Sequence, residues 1–185
     1  MLLYHTGFSE ITVPDIRHGR KNADFGQGFY LSADPAFSRR WAKIRKGQTT
    51  YVNTYELSIA ELSVKVFLRD AEWLEYIFSN RRGKQDSLVN YDIVAGPIAN
   101  DTIFNLFGVT TSGFLTSEQS LRILTVGPEY TQVALKTKRA AKALRFLSSE
   151  VLTEEEVKSC RDAVRDEEAA YQKQFEDLLK EWIEV

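Results

Sequence analysis

In the first half of the chain, apolar residues come in short runs between Gly, Pro and Asp turns, a pattern of strands joined by loops. LLYH (2–5) is apolar and short, and QGFYLS (27–32) is an aromatic-rich run that follows a glycine. TYVNTYELS (50–58) puts Tyr51, Asn53, Tyr55 and Leu57 on one face of a strand, and VKVF (64–67) reads as another. Asp34-Pro35 opens a helix, since proline suits a first helical turn, and Phe37, Trp41 and Ile44 then recur at helical spacing. Trp73, Leu74, Ile77 and Phe78 line one side of a helix over 71–82. YDIVAG (91–96) has the continuous apolar run of a buried strand, ended by Gly-Pro. Helices are predicted over 98–107 and 117–125 and a short strand over 132–136, while KALRFL (142–147) fits either element.

The last segment changes period. Thr153 followed by Glu156 is a capping-box pattern. Val157, Val164, Tyr171 and Leu178 then recur every seven residues, with Cys160, Phe175 and Trp182 beside them. This predicts one amphipathic helix, or two broken near Asp166–Glu168, that packs on its own domain or pairs with another chain. The chain thus divides into a domain over 1–150 and a helical extension over 151–185. Strands come first and helices fall irregularly, without a βαβ rhythm, so the class is α+β. Neither GxGxxG nor a Walker motif occurs, which excludes a helix-borne phosphate loop of those kinds.

Composition narrows the picture. With 43% hydrophobic and 27% charged residues the chain reads as a globular protein. It has no stretch apolar enough to span a bilayer and no secretory pattern at its start, so it is read as cytoplasmic. One cysteine and two histidines make neither an internal disulfide nor a Cys/His zinc site. The net charge of -2 conceals an asymmetry: residues 153–185 carry eleven acidic and five basic side chains, leaving a mildly basic body. An acidic face of this kind is a solvated helix surface, a screen for the body or a docking element.

Four places could carry chemistry. His5 ends the first strand before Thr6-Gly7; there it can donate to a ribose hydroxyl, with neighbouring backbone amides at hand, or serve as a structural residue. In Asp24-Phe25-Gly26-Gln27-Gly28-Phe29-Tyr30 the glycines let backbone approach a ligand or bend. Phe29 and Tyr30 point to opposite faces, so one can be core while the other is a platform for a flat heterocycle. Asp92 and Asp101 flank Gly96-Pro97 and can be caps, salt-bridge partners or, for Asp101 in a turn-rich stretch, a functional carboxylate. Gln132 can bond a sugar hydroxyl or sit exposed on its strand.

Taken in order, LYHTG, DFGQGFYLS, the helical WA, VNTYEL, EWLEYIFSNRRG, YDIVAGPIAND and TQVALKTKRAAKALRFL resemble the DUF3990 family over roughly residues 1–150. That family is identified with the ADP-ribosyltransferase superfamily and is similar in plan to its diphtheria-toxin/PARP branch. The resemblance implies a split β-sandwich with flanking helices that holds NAD in a bent pose and works through a His–Tyr–Glu set. By it, His5 would bond the adenosine ribose, Thr6 would offer backbone to the nicotinamide amide, and Tyr30 would stack on the nicotinamide. Trp41 would form a second wall, and the loop of Asp24 and Phe25 would cross the pocket. Gln132 falls where the PARP branch has Glu; it keeps a hydrogen bond but is neutral and cannot take a proton. Asp101 is then the first candidate for a base and Asp24 the second. No metal is implied.

The expected function is mono-ADP-ribosyl transfer from NAD to a protein or nucleic-acid acceptor. The resemblance extends to bacterial toxin–antitoxin pairs, with an antitoxin or other partner protein at the C-terminal helix. The alternatives are NAD hydrolysis and an NAD- or protein-binding module without catalysis. A further reading is nucleic-acid binding through Arg17, Arg20, Lys21, Arg39, Arg40, Arg45, Lys46, Arg81, Arg82 and Lys84.

Overall fold

Seven short strands build two sheets, seen in a computed structural model that describes residues 1–99 and 116–183. The first sheet is antiparallel, in the order β1 (Leu2–Gly7), β3 (Thr50–Leu57), β7 (Leu144–Leu152). The second runs β2 (Phe29–Leu31), β6 (Thr131–Leu135), β5 (Ile93–Pro97), β4 (Val64–Val66), with β4 parallel to β5 and the other pairs antiparallel. Tyr55 and Leu57 from the first sheet meet Phe29, Leu31, Val133 and Leu135 from the second in a shared core. The class is α+β.

Helices cover the outer faces. On the second sheet, α2 (Ala71–Arg81) sets Trp73, Leu74 and Ile77 against Val94 and Ala134, as its pattern predicts. Asp70 caps that helix by accepting from the Trp73 amide at 3.0 Å. α1 (Pro35–Arg39) begins as Asp34-Pro35 predicts but is shorter than the apolar spacing implied. Trp41 lies in the turn beyond it and Ile44 is exposed, because the chain there turns back through an Arg45–Gln48 bridge into β3. The segment α3 (Ser117–Leu124) is helical as expected. Ile98 and Ala99 are not helical: the Ile98 amide donates to the Tyr130 carbonyl at 2.7 Å, prolonging the β5–β6 pairing. The rest of the helix expected over 98–107 lies outside the described residues.

The ambiguous stretch resolves into α4 (Lys138–Lys142) followed directly by β7. Asp92 is a structural residue. It accepts from Arg139, from the Thr137 hydroxyl at 2.5 Å and from the Ser63 amide and hydroxyl, each at 2.9 Å, tying β4, β5 and α4 together. These partners, Arg139 first, hold its carboxyl far below the usual carboxylate range.

The tail is one unbroken helix, α5 (Glu154–Ile183), opened by the expected Thr153–Glu156 box with bonds of 2.8 and 3.2 Å. Val157 and Tyr171 of the seven-residue seam are buried and Val164 and Leu178 half-buried. Glu167 pairs with Arg40 and accepts from the Tyr130 hydroxyl at 2.9 Å, and the Tyr171 hydroxyl donates to the Ile123 carbonyl at 3.2 Å. The helix therefore lies along its own body. No helix among the described residues is long and apolar enough to cross a membrane.

Candidate functional site

The two sheets touch edge to edge at one place, where Tyr4 and Ser32 exchange backbone hydrogen bonds of 2.8 and 3.0 Å. Beyond that bridge β1 and β2 part, and a cleft of about 410 Å³ opens there. Its size lies within the range of small-molecule sites, about 300–1,000 Å³. His5, Thr6, Gly7, Asp24, Tyr30, Trp41 and Gln132 all line it, drawn from two sheets and two loops.

Strand geometry explains what each presents. Met1 bonds Leu57 on β3, whereas Tyr4 bonds Ser32 on the other side. Main-chain groups alternate direction along a strand, so Thr6 aims its N–H and C=O away from β3, past the bridge, along the cleft edge. Its hydroxyl is tied instead to Ser38 at 2.9 Å, which fixes β1 to α1. By the same alternation the Tyr30 carbonyl points toward β1, and His5 Nδ1 lies 2.8 Å from it.

A carbonyl only accepts, so Nδ1 carries the proton and Nε2 is left as an acceptor. Burial lowers the His5 pKa from its ordinary 6.5, although the Tyr30 carbonyl opposes the shift. This corrects one expectation: with its proton committed to Tyr30, neutral His5 accepts from a hydroxyl and does not donate to it. A linkage with pH follows. Below about pH 6.5 the unfolded chain binds a proton that half-buried His5 resists. The His5 contribution is intact above that pH and is lost progressively as pH falls below it through the lower folded pKa. Acidification is expected to lower the guanidinium midpoint of the wild type more than that of His5→Asn, whose amide can still donate to Tyr30. Equal drops would mean that His5 protonates freely in the fold.

Tyr30 and Gln132 share one face of the second sheet. Tyr30 stands opposite Ala134, two residues from Gln132. The Tyr30 hydroxyl donates to the Gly26 carbonyl at 2.6 Å and accepts from the Phe25 amide at 3.0 Å, while its ring lines the cleft. Burial, then the Asp24 carboxylate, pushes that hydroxyl well above the ordinary tyrosine value, so it stays protonated. Phe29, pointing the other way, is core, and its ring centroid lies 4.6 Å from that of His5. Gln132 is only 8% exposed, and its side-chain amide has no hydrogen-bond partner among the described residues. Trp41 forms part of the wall, half-exposed and edge-on to Phe37.

Three expected contributions change. Phe25 does not line the cleft; it is fully buried and stacks with Phe67 and Tyr76. Gly28 does not line it either: a Cβ there would stand 2.7 Å from the Leu135 carbonyl, so this glycine serves close packing on β6. Asp24 reaches the cleft, but its oxygens accept from Arg81 Nε at 2.8 Å and the Ala99 amide at 3.4 Å, which leaves it badly placed to act as a base. Asp101 lies outside the described residues.

Sequence reasoning overlooked Lys43 and did not separate Arg20 from the other cations. Both line the cleft, and neither has an ion-pair partner among the described residues. Arg20 could have been noticed only as one cation in a basic run; Lys43 carried no signal. Among the described lining residues Asp24 is the only carboxylate, and it is offset by Arg81, so that part of the cleft favours an anion.

Fold and site together define an α+β protein with a ligand-sized, cationic cleft at the parting of two sheets. A model of the family described as "Protein of unknown function (DUF3990)" matches residues 1–146, and the chain belongs to that family. No curated protein matches it.

Proposed function

We propose that this protein cleaves NAD at its nicotinamide–ribose bond and transfers ADP-ribose to a macromolecular acceptor, on an ADP-ribosyltransferase-like fold whose sheets part around the dinucleotide. The observation that carries this reading is the meeting of Tyr30, Gln132, His5 and the open Thr6 main chain in one cleft with two cations that have no ion-pair partner among the described residues. A carboxamide both donates and accepts, as the Thr6 edge does. A flat pyridinium suits the Tyr30 ring. Nε2 of His5 accepts from a ribose hydroxyl, and Arg20 and Lys43 face a pyrophosphate.

In the reaction the C1′–N bond breaks and its electron pair returns to the nicotinamide ring. C1′ gains oxocarbenium character, and the acceptor attacks it and loses a proton. The protein supplies position and electrostatics. The proton goes to Asp101 in this reading, or to solvent if the acceptor is already nucleophilic.

The test is incubation with radiolabelled NAD and cell extract beside His5→Ala and Tyr30→Ala. Nicotinamide release with label on a macromolecule, both lost in the two variants, is expected. Release without labelled macromolecule would mean hydrolysis. A second reading, NAD binding without catalysis, draws on the lack of an uncommitted carboxylate among the described lining residues; bound NAD with no nicotinamide release would favour it.

A further inference from the structure

The loop over residues 15–28 has two sides. Gly19, Arg20, Ala23 and Asp24 face the cleft. Ile16, Arg17, Lys21, Asn22 and Gln27 face a second cavity of about 400 Å³, closed from the far side by Gly83, Lys84, Asp86 and Val89. Asp86, the one carboxylate among its described lining residues, is neutralised by Lys136, whose side chain is 2% exposed and also donates to the Phe25 carbonyl. Arg17, Lys21 and Lys84 have no carboxylate partner among the described residues. Other cations that looked equivalent in the sequence are spent: Arg39 on Glu150, Arg40 on Glu167, Arg81 on Asp24. Gln27 braces the loop by donating to the Arg17 and Gly19 carbonyls at 2.7 and 3.1 Å.

We propose that this second cavity anchors the phosphodiester backbone of a single-stranded nucleic acid, the acceptor of the transferred ADP-ribose. The inference rests on the transferase reading of the cleft. Three unpaired cations around a pocket whose own carboxylate is cancelled make a site for a polyanion. A strand held there runs over the loop that also carries Arg20 at the cleft, so a base beside the anchored phosphates can enter the cleft. A duplex would keep its bases stacked and out of reach, which favours a single strand.

The test is fluorescence anisotropy of a short labelled single-stranded RNA, and its DNA counterpart, with the full chain at several salt concentrations. Binding that weakens steeply with salt is expected. Arg17→Glu/Lys21→Glu/Lys84→Glu is expected to lower affinity at least about tenfold and to reduce the slope of log affinity against log salt by about 2. The exposed Lys158→Glu/Lys173→Glu pair on α5 should leave both unchanged. The Gln triple variant, checked by thermal melting, replaces the Glu triple if that misfolds. NAD cleavage to water should be unaffected in either triple.

Equal affinity of wild type and triple variant, or no binding at low salt, would overturn the inference. So would transferred label that survives nuclease and is lost to protease, since that acceptor is a protein. Nicotinamide release without oligonucleotide binding would remove the acceptor assignment alone. Oligonucleotide binding without NAD turnover would remove the transferase reading and, with it, the acceptor role.

Discussion

Arg81→Met is expected to destabilise the fold by about 3–5 kcal/mol, the cost of leaving a buried carboxylate without its cation. Asp24 and Arg81 have side chains 6% and 1% exposed, with Nε 2.8 Å from Oδ1. Out of water, the Ala99 amide that Asp24 also accepts from, at 3.4 Å, does not replace a full positive charge. Against a typical total stability of about 5–15 kcal/mol, such a loss is large. Adding Asp24→Asn should restore part of it, because removing both charges removes the buried ion itself. Guanidinium midpoints of the two single variants and the double would measure this. A loss under about 1 kcal/mol for Arg81→Met would mean that Asp24 is rehydrated or re-paired without it. The pair also bears on the cleft. Asn80 holds the Asp24 carbonyl at 2.9 Å, and the next residues, Phe25 and Gly26, hold the Tyr30 hydroxyl. Loosening Asp24 is therefore expected to loosen Tyr30.

Gln132→Ala is expected to slow nicotinamide release by about a hundredfold, the scale seen when one preorganised polar contact to a transition state is removed. The reason is the unspent amide: it lines the cleft with no hydrogen-bond partner among the described residues, so the fold leaves its donor and acceptor to a ligand. Its cross-strand neighbour is tightly packed. Gly96 stands directly opposite, where a Cβ would fall 2.9 Å from the Phe67 Cβ. Gln132→Glu should release nicotinamide faster than the wild type, because a carboxylate there faces developing positive charge on the ribose. Single-turnover nicotinamide release would separate these effects from NAD affinity. A wild-type rate in Gln132→Ala would remove Gln132 from the reacting centre and with it the main support for bond cleavage in this cleft.

How much of this was legible in the chain differs from residue to residue. The α2 helix, the Asp34-Pro35 start of α1, the Thr153–Glu156 cap and most strands could be read directly, since a period of two or 3.6 and a capping side chain act within a few residues. His5, Tyr30 and Gln132 could be named as candidates, though what singled them out was an order of segments resembling a family. The opposite aims of Phe29 and Tyr30 follow from strand alternation alone.

What the sequence by itself determined is therefore local: the α+β class, the element types, the capped amphipathic tail and the short list of chemical groups. Tertiary structure alone decided which of those groups meet. Arg81 and Asp24 pair over 57 positions, and Lys136 reaches Phe25 over 111. No local pattern distinguishes them from Arg17 or Lys84, which have no carboxylate partner among the described residues. The direction of the His5 proton was set by a carbonyl 25 residues away that the β2 ladder leaves free. Phe25 and Gly28 went to packing because neighbouring strands and rings fill the space around them. Side-chain period is written into neighbours along the chain. The choice between a spent charge and a free one is made by distance in space, which exists only once the sheets have closed.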